Sequence, residues 1–201
     1  ATKARDVGFD RSMVAAYGHD DRVCAYTSLR ASMDVTNPEY TWINVLADRE
    51  EIGSDGNTGL NSRMLEYFIA DIAEPYGVAA HTVLSKSKCL SADVNVAMDP
   101  TFSDITDNYN VAKFGYGVGL CKYTGSRGKS GTSEAHAEFL GHLRGVFDNA
   151  GVQWQNASMG KVDMGGGGTV AMFVANLGVE VVDIGVPVLA MHAPMELVSK
   201  T

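Results

Sequence analysis

Four short segments of the chain carry acidic or imidazole side chains at or just beyond the ends of predicted strands. They are His19-Asp20-Asp21-Arg22, residues 48–54, Ser91-Ala92-Asp93 and residues 191–194. Ligands of open α/β sheets collect outside the carboxyl ends of strands, so side chains in these places can converge on one site. Because carboxylates and imidazoles bind divalent metals and transfer protons, these segments are candidates for a metal or acid–base centre.

The pair Glu50-Glu51 is the most informative of these candidates. Consecutive residues of an extended chain point in opposite directions, so two adjacent carboxylates seldom serve the same atom. One of them can bind a metal ion while the other faces a water molecule and acts as general base. The alternative is a solvated acidic turn, which is the commoner outcome for an isolated pair of glutamates.

The other candidates each have an ordinary structural alternative. Asp20 either bridges two metal ions, with Asp21 or Arg22 fixing its orientation, or stabilises the start of a helix. Asp93 is either a ligand or part of an Asx turn at the end of a strand. His192 is either a ligand or a hydrogen-bonded histidine of the core. The residue types alone do not choose between these alternatives.

The run of glycines at residues 165–168 is a candidate for substrate contact. It precedes a predicted helix, but it lacks the lysine of a P-loop and the spacing of G-x-G-x-x-G. We therefore expect the backbone at Gly166 and Gly167 to approach a peptide substrate or its oxyanion closely.

The elements that must position these residues alternate along the chain. Helices are predicted over residues 20–32, from 62, over 133–150 and 169–177, and from 194 to the end. Strands are predicted over residues 40–47, 91–98, 117–123, 179–184 and 186–191, with loops over 48–61, 99–110 and 124–132 and no regular element over 1–9. Strand-like runs that alternate with amphipathic helices predict an α/β layered fold.

Composition narrows the class of protein. The 201 residues suit one globular domain, and 45% of them are hydrophobic. Sixteen Lys and Arg against 24 Asp and Glu give a net charge of -8, which disfavours binding to nucleic acid. No apolar run reaches the roughly 20 residues of a membrane span, so no membrane partner is expected. Cys24, Cys89 and Cys121 form no CxxC pair, which predicts reduced, buried thiols in a cytoplasmic protein and disfavours cysteine-ligated metal.

Five longer stretches carry more information than single residues. They are ARDVGFDRSMVAAYGHDDRVCAYTSL, DREEIGSDGNTG, LSADVNVAMDP, GKVDMGGGGTV and DIGVPVLAMHAPMELVSK. In this order they resemble bacterial members of the aspartyl aminopeptidase family of zinc exopeptidases. The resemblance implies a three-layer α/β/α sandwich around a mixed, mostly parallel sheet, incomplete at its N-terminal side. Residues 1–201 would be a C-terminal portion of the catalytic domain, because the H-x-D motif and the dimerisation domain of that family do not occur in this sequence.

The resemblance also implies a role for each candidate residue. Two Zn²⁺ ions are implied, and the oxygen and imidazole ligands would also accept Mn²⁺ or Co²⁺. Asp20 would bridge both ions, Asp93 would complete the site of one, and Glu51 and His192 would bind the other. Glu50 would be the general base that deprotonates the water shared by the two ions.

The implied function is a metal-dependent aminopeptidase that removes the N-terminal residue of peptides. Acidic N-terminal residues are one candidate substrate class, for which Lys122, Arg127 and Lys129 are candidate contacts. Lys122 falls near a substrate-binding position of the family, and the alternative is a solvated lysine at a strand end. The family also implies a large homo-oligomer, commonly a dodecamer. The 201 residues alone are expected to be inactive and poorly folded.

Two other functions stay open. A catalytically silent homologue could act as an assembly or cargo protein, and the missing H-x-D motif supports that alternative. An endopeptidase or amidase could use the same scaffold, and peptides with free and blocked amino termini would distinguish these activities from an aminopeptidase.

Overall fold

The computed structural model describes residues 3–127, 130–161, 163–164, 166–168 and 170–201. Its strands are β1 (Arg5–Val7), β2 (Met13–Ala16), β3 (Lys88–Ala92), β4 (Asn95–Val96), β5 (Val118–Cys121), β6 (Tyr123–Ser126), β7 (Ser130–Glu134), β8 (Trp154–Ala157), β9 (Gly166–Gly167), β10 (Glu180–Gly185), β11 (Pro187–Leu189) and β12 (Glu196–Ser199). Its α-helices are α1 (His19–Asp34), α2 (Met64–Ala73), α3 (Ala80–Leu84), α4 (Ala137–Ala150) and α5 (Ala171–Ala175). Short 3-10 helices cover Glu50–Ile52, Glu74–Tyr76 and Pro100–Ile105.

Two sheets form the centre of the fold and continue into each other along the chain. One has the strand order β3-β10-β5-β8 and the other β1-β2-β12-β11-β4. β3 leads into β4 and β10 into β11, and β10 and β11 run parallel to β3 and β4 respectively. The sheets are mixed, as predicted, although antiparallel pairings outnumber parallel ones among the described strands. A third, small sheet has the order β7-β6-β9.

Helices cover both faces of the four-stranded sheet β3-β10-β5-β8. Val181 and Val182 are consecutive in β10, so their side chains point to opposite faces. Val181 shares a core cluster with Ile69 of α2 and Val174 of α5, whereas Val182 shares one with Leu140 of α4. The helices therefore form two outer layers, and the expected three-layer α/β/α fold is confirmed.

The C-terminal end of the chain differs most from the prediction. Residues 194–201 are predicted to be helical, but Glu196–Ser199 forms β12 between β2 and β11. The side chains of β12 alternate between buried and half-buried, which is the period of a strand. The neighbours on both sides decide the outcome, because they satisfy the backbone hydrogen bonds of β12.

Two predictions in the middle of the chain are also wrong. The predicted loop over residues 124–132 contains the hairpin of β6 and β7, and residues 128 and 129 lie outside the described residues. The helix predicted from Ser133 begins at Ala137 instead, because Ser133 and Glu134 pair with β6. Small and polar residues weaken the strand pattern here, so the pairing of β7 could not be read from the sequence.

The ends of other elements shift as well. Residues 1–9, predicted to lack a regular element, contain β1, which pairs with β2; residues 1 and 2 lie outside the described part. The helix predicted over residues 169–177 is the shorter α5, and Thr169 is not among the described residues. The loop predicted over residues 99–110 includes a 3-10 helix.

Residues 40–47, which we call the apolar segment, are not a strand. The segment has the β-branched and aromatic composition of one, but it pairs with no strand among the described residues. Its side chains are largely exposed: Tyr40 is 78% exposed and Leu46 is 61% exposed. The indole nitrogen of Trp42 donates a hydrogen bond of 2.8 Å to Ser32 Oγ, which ties the segment to α1.

The remaining predictions agree with the structure in outline. The helices near residues 20–32 and 64–72 are α1 and α2, and the strand predicted over 91–98 overlaps β3 and β4.

The three cysteines are free; Cys24 and Cys121 are buried and Cys89 is half-buried. Within the described part of the chain, no helix has both the length and the apolar character needed to cross a membrane.

Candidate metal centre

Asp20 and Asp21 occupy an irregular turn at the start of α1. Gly18, which directly precedes the helix, has the left-handed backbone that glycine adopts easily (φ 71°). Asp20 and Asp21 have non-helical backbone angles inside the first turn, and no side chain caps the helix. Asp20 is therefore not the N-cap of α1, but it remains an acid of the first turn, as the helix-dipole alternative requires.

Asp20, Glu51 and His192 form the first group of potential ligands. His192 Nε2 lies 2.9 Å from Asp20 Oδ2 and 3.1 Å from Glu51 Oε1. Potential ligand atoms of the three residues all lie within 4.8 Å of one another. The His192 side chain is 61% exposed, so the alternative of a core histidine is wrong. Two oxygen ligands and one imidazole form a donor set that suits zinc.

Asp20, Asp21 and Asp93 form the second group, whose carboxylate oxygens also lie within 4.8 Å of one another. Asp93 stands in the break between β3 and β4, and its Oδ1 accepts a hydrogen bond of 2.8 Å from the Val94 amide. Asp20 belongs to both groups, as expected of a residue that bridges two ions. The sequence leaves open whether Asp21 or Arg22 orients Asp20, and the structure places Asp21 among the potential ligands. Its adjacency to Asp20 is the only signal for this in the sequence.

Glu50 and Glu51 lie in a 3-10 helix, so the extended backbone expected for this pair is wrong. Successive residues of a 3-10 helix are about 120° apart, which separates the two carboxylates without an extended chain. Glu51 contacts His192, whereas Glu50 is in neither potential ligand group. Burial raises the pKa of Glu50, and the charges of Glu51 and Asp20 raise it further.

Five acidic side chains lie close together here, and most of them are partly buried. We call Asp20, Asp21, Glu50, Glu51 and Asp93 the acidic cluster. Burial raises the pKa of Asp93 to about 8, and the nearby acids, Asp21 first, add to the effect. Burial likewise raises the pKa of Asp21 to about 7. Asp21 Oδ1 is buried and has no hydrogen-bond partner among the described residues. Buried carboxylates that repel one another are stabilised by a divalent cation, so these residues fit a metal site.

Lys122 lies away from the acidic cluster. Asp183 of β10 pairs with Ser91 of β3 on one side and with Cys121 of β5 on the other. Because β5 runs antiparallel to β3, Lys122 and Asp93, which follow Cys121 and Ser91, lie toward opposite ends of the sheet. The lysine Nζ is 2.7 Å from Glu134 Oε1 and 2.9 Å from the Ala135 carbonyl oxygen. Lys122 also lines a cavity of about 480 Å³ together with Arg144 and Asn156, among others.

Gly166 and Gly167 form β9, which pairs with β6. A Cβ at Gly166 would lie 2.4 Å from the carbonyl oxygen of Gly125, and the backbone is left-handed there (φ 90°). The close backbone approach predicted at this position is therefore made, within the described residues, to the neighbouring strand. Gly165 and Lys129 lie outside the described residues, and Arg127 is exposed.

Comparison with known proteins covers the whole chain. A profile of the family described as "Aminopeptidase I zinc metalloprotease (M18)" matches residues 1–201. A relative from Clostridium acetobutylicum, named "Probable M18 family aminopeptidase 1", is 47% identical over 204 residues, which is 100% of this chain and 44% of the relative. The crystal structure of an M18 family aminopeptidase from Thermotoga maritima superposes with a TM-score of 0.92 at 47% identity, covering 98% of this chain and 45% of that one.

A more distant structure has the same fold. It is described as the dodecamer of mApe1 from Saccharomyces cerevisiae, with a TM-score of 0.75 at 22% identity, and it covers 98% of this chain and 44% of that one. The chain thus spans less than half the length of these relatives.

Proposed function

The chain belongs to the aminopeptidase I zinc metalloprotease (M18) family, and from that premise we propose that the whole protein is a zinc-dependent aminopeptidase acting on the free N-terminus of peptides. One observation carries the proposal: Asp20 is shared by two groups of potential ligands that come from four distant parts of the chain. A surface acidic patch would not require this convergence, whereas a pair of adjacent cations does.

Each potential ligand has a place in the proposed centre. Asp20, Glu51 and His192 would hold one cation, and Asp20 and Asp93 the other, with Asp21 beside them. When bound, a pair of divalent cations lowers the pKa of a water molecule and polarises the scissile carbonyl. The oxygen-rich donor set also suits Mn²⁺ or Co²⁺ as a substitute.

Glu50 is proposed as the general base that takes a proton from the attacking water. It stands next to the ligand Glu51 in sequence, but its own carboxylate is in neither ligand group. Its raised pKa brings it closer to neutral pH, where a general base transfers protons most effectively.

The substrate preference and the assembly are finer parts of the proposal. An acidic N-terminal residue would be bound by Lys122, which lines a cavity together with Arg144. We expect Lys122→Met to lower kcat/KM about tenfold for peptides with N-terminal Asp or Glu and to leave N-terminal Ala unaffected, because one charge-assisted contact is lost. The whole protein is also proposed to be a homo-oligomer, with a dodecamer as the expected size.

The test of the function uses the full-length protein. Dialysis against a chelator should abolish hydrolysis of peptides with a free amino terminus, and added Zn²⁺ should restore it. Peptides with a blocked amino terminus should not be cleaved at any stage. Activity that survives chelation would remove the metal from the proposal, and cleavage of blocked peptides would indicate an endopeptidase.

The role of Glu50 needs a separate variant. Glu50→Gln keeps the size of the side chain but removes its basicity, so we expect kcat to fall by about 10²- to 10⁴-fold. Zinc content, measured by elemental analysis, should stay unchanged. Glu39→Gln, which alters an exposed glutamate, is the matched control. If the full-length parent protein binds zinc but cleaves no peptide, the catalytically silent alternative replaces the proposed function.

A further inference from the structure

Glu196 is a buried acid that contacts two potential metal ligands through their backbones. It is only 2% exposed, although it carries a carboxylate. Its Oε2 accepts a hydrogen bond of 3.0 Å from the amide of Asp20, and its Oε1 accepts one of 2.7 Å from the amide of His192. Asp20 and Glu196 are 176 residues apart in sequence, so this carboxylate joins the two ends of the chain.

The sheet explains why Glu196 can reach both amides. It is the first residue of β12, which lies between β2 and β11 and pairs Glu196 with Ala16 of β2. β2 leads to Asp20 and β11 leads to His192, so both loops leave the sheet beside Glu196. The position is set by the strand order, independently of the acidic cluster.

The loop that carries His192 needs this support. Ala190 and His192 both have positive φ angles, 56° and 66°, which are unfavourable for residues other than glycine. Such backbone conformations persist only where surrounding contacts hold them. The bond from the His192 amide to Glu196 is one such contact, at the residue whose imidazole meets Asp20 and Glu51.

Burial of the Glu196 carboxylate costs free energy of folding, and its hydrogen bonds must offset that cost. A buried carboxylate is tolerated where it is hydrogen-bonded, and each of its oxygens here has an amide donor. It also adds negative charge beside Asp20, which a cation at the centre would offset. An alanine or leucine at this position would avoid both costs, but it would remove the acceptors of two part-buried amides.

We propose that Glu196 is a positioning residue of the metal centre. Its two oxygens fix the backbones of Asp20 and His192 relative to each other, so that the carboxylate and the imidazole reach the same cation. The role rests on the proposed function, because it presumes that these two residues bind metal.

The experiment compares three variants with the full-length parent protein. Glu196→Gln keeps the shape but replaces one acceptor oxygen by an amide donor, and Glu196→Asp keeps both acceptors on a shorter side chain. Glu138→Gln, at an exposed glutamate of α4, is the control. Zinc affinity is measured by competition with a chromophoric chelator, and the visible absorption of the Co²⁺-loaded proteins reports the ligand geometry.

We expect Glu196→Gln to weaken zinc binding by roughly 10- to 100-fold, the loss typical when a group that orients a ligand is removed. Its Co²⁺ spectrum should change, and kcat at saturating zinc should fall while KM stays near that of the parent. Glu196→Asp should lose less affinity, and Glu138→Gln should lose none. If Glu196→Gln fails to fold, the zinc affinity of Glu196→Asp tests the positioning role instead, because that variant is also expected to lose affinity.

Two outcomes separate this inference from the proposed function. If the parent binds zinc and cleaves peptides, but zinc affinity and the Co²⁺ spectrum are the same in the folded Glu196 variants, the positioning role is overturned and the function stands. If the parent itself binds no zinc, the proposed function fails and the role of Glu196 fails with it.

Discussion

The acidic cluster and the apolar segment are both unfavourable arrangements, but they differ in what surrounds them. The cluster lies among strand ends and the start of α1, where two of its carboxylates are buried enough to raise their pKa values to about 7 and about 8. The apolar segment lies on the outside, with Trp42 52% exposed and Val45 44% exposed. The charge of one region would be offset by a cation, and the side chains of the other would be stabilised by apolar neighbours.

The acidic cluster and the apolar segment also differ in how many contacts this chain makes to them. Contacts within the chain hold several of the potential ligands: Glu196 binds the amides of Asp20 and His192, and the Val94 amide binds Asp93. The apolar segment has no such contacts beyond the bond from Trp42 to Ser32 among the described residues. Because the chain spans less than half the length of its relatives, we expect another part of the whole protein to cover this segment.

The largest expected effect comes from Asp20, which both potential ligand groups share. Asp20→Asn removes a negative charge from each group, so zinc binding and turnover should both fall by more than about 100-fold, beyond the loss expected for an orienting residue. Zinc content and kcat of the full-length variant measure this effect. Asp71→Asn, at an exposed aspartate of α2, is the control. If Asp20→Asn kept its zinc, the proposal that Asp20 is a shared metal ligand would be contradicted.

The apolar segment should show a smaller effect on the free energy of unfolding. If the rest of the protein buries Leu46, Leu46→Ser should destabilise the full-length protein by about 2 kcal/mol, since a fully buried leucine contributes about that amount. Denaturant unfolding at equilibrium measures the change. Tyr109→Ser, at a side chain that is 96% exposed, should change stability by less than about 0.5 kcal/mol. Equal, small effects at both positions would mean that the segment stays in solvent.

The effect confined to the metal-free protein is a pH dependence of its stability. The folded Asp93 has a pKa of about 8, whereas in the unfolded chain it titrates near 3.8. Between these values the folded state keeps a proton that the unfolded state has lost, so stability falls as the pH rises from about 4 to about 8. Each kcal/mol corresponds to roughly 2–4 °C in Tm for a domain of this size.

Thermal unfolding at pH 5 and pH 7.5 measures this dependence. The metal-free protein should melt about 10 °C lower at pH 7.5, and Asp93→Asn, which cannot lose the proton, should show a flatter dependence. Bound Zn²⁺ should reverse the trend, because a cation binds the deprotonated carboxylates. A metal-free protein that is more stable at pH 7.5 than at pH 5 would contradict the burial of charge in the cluster.

The hydrophobic pattern of the local sequence is enough to predict some helices and strands but not others. α2 and β10 have strong apolar periodicity, and both were predicted close to their observed places. β12 and β7 are short, and their backbones are satisfied by strands distant in sequence, which local pattern does not contain. The apolar segment shows the converse, because strand-like composition does not make a strand where no partner is present.

Residue type and the family resemblance are enough to identify candidate ligands for a cation. Asp20, Glu51, Asp93 and His192 were selected by residue type and by resemblance, and the structure brings Asp20 together with each of the others. The place of Asp21 beside them and the contacts of Glu196 with the Asp20 and His192 amides emerge only from the folded chain. Donor chemistry belongs to each side chain and is therefore local, whereas distances between residues far apart in the chain depend on strand order and packing.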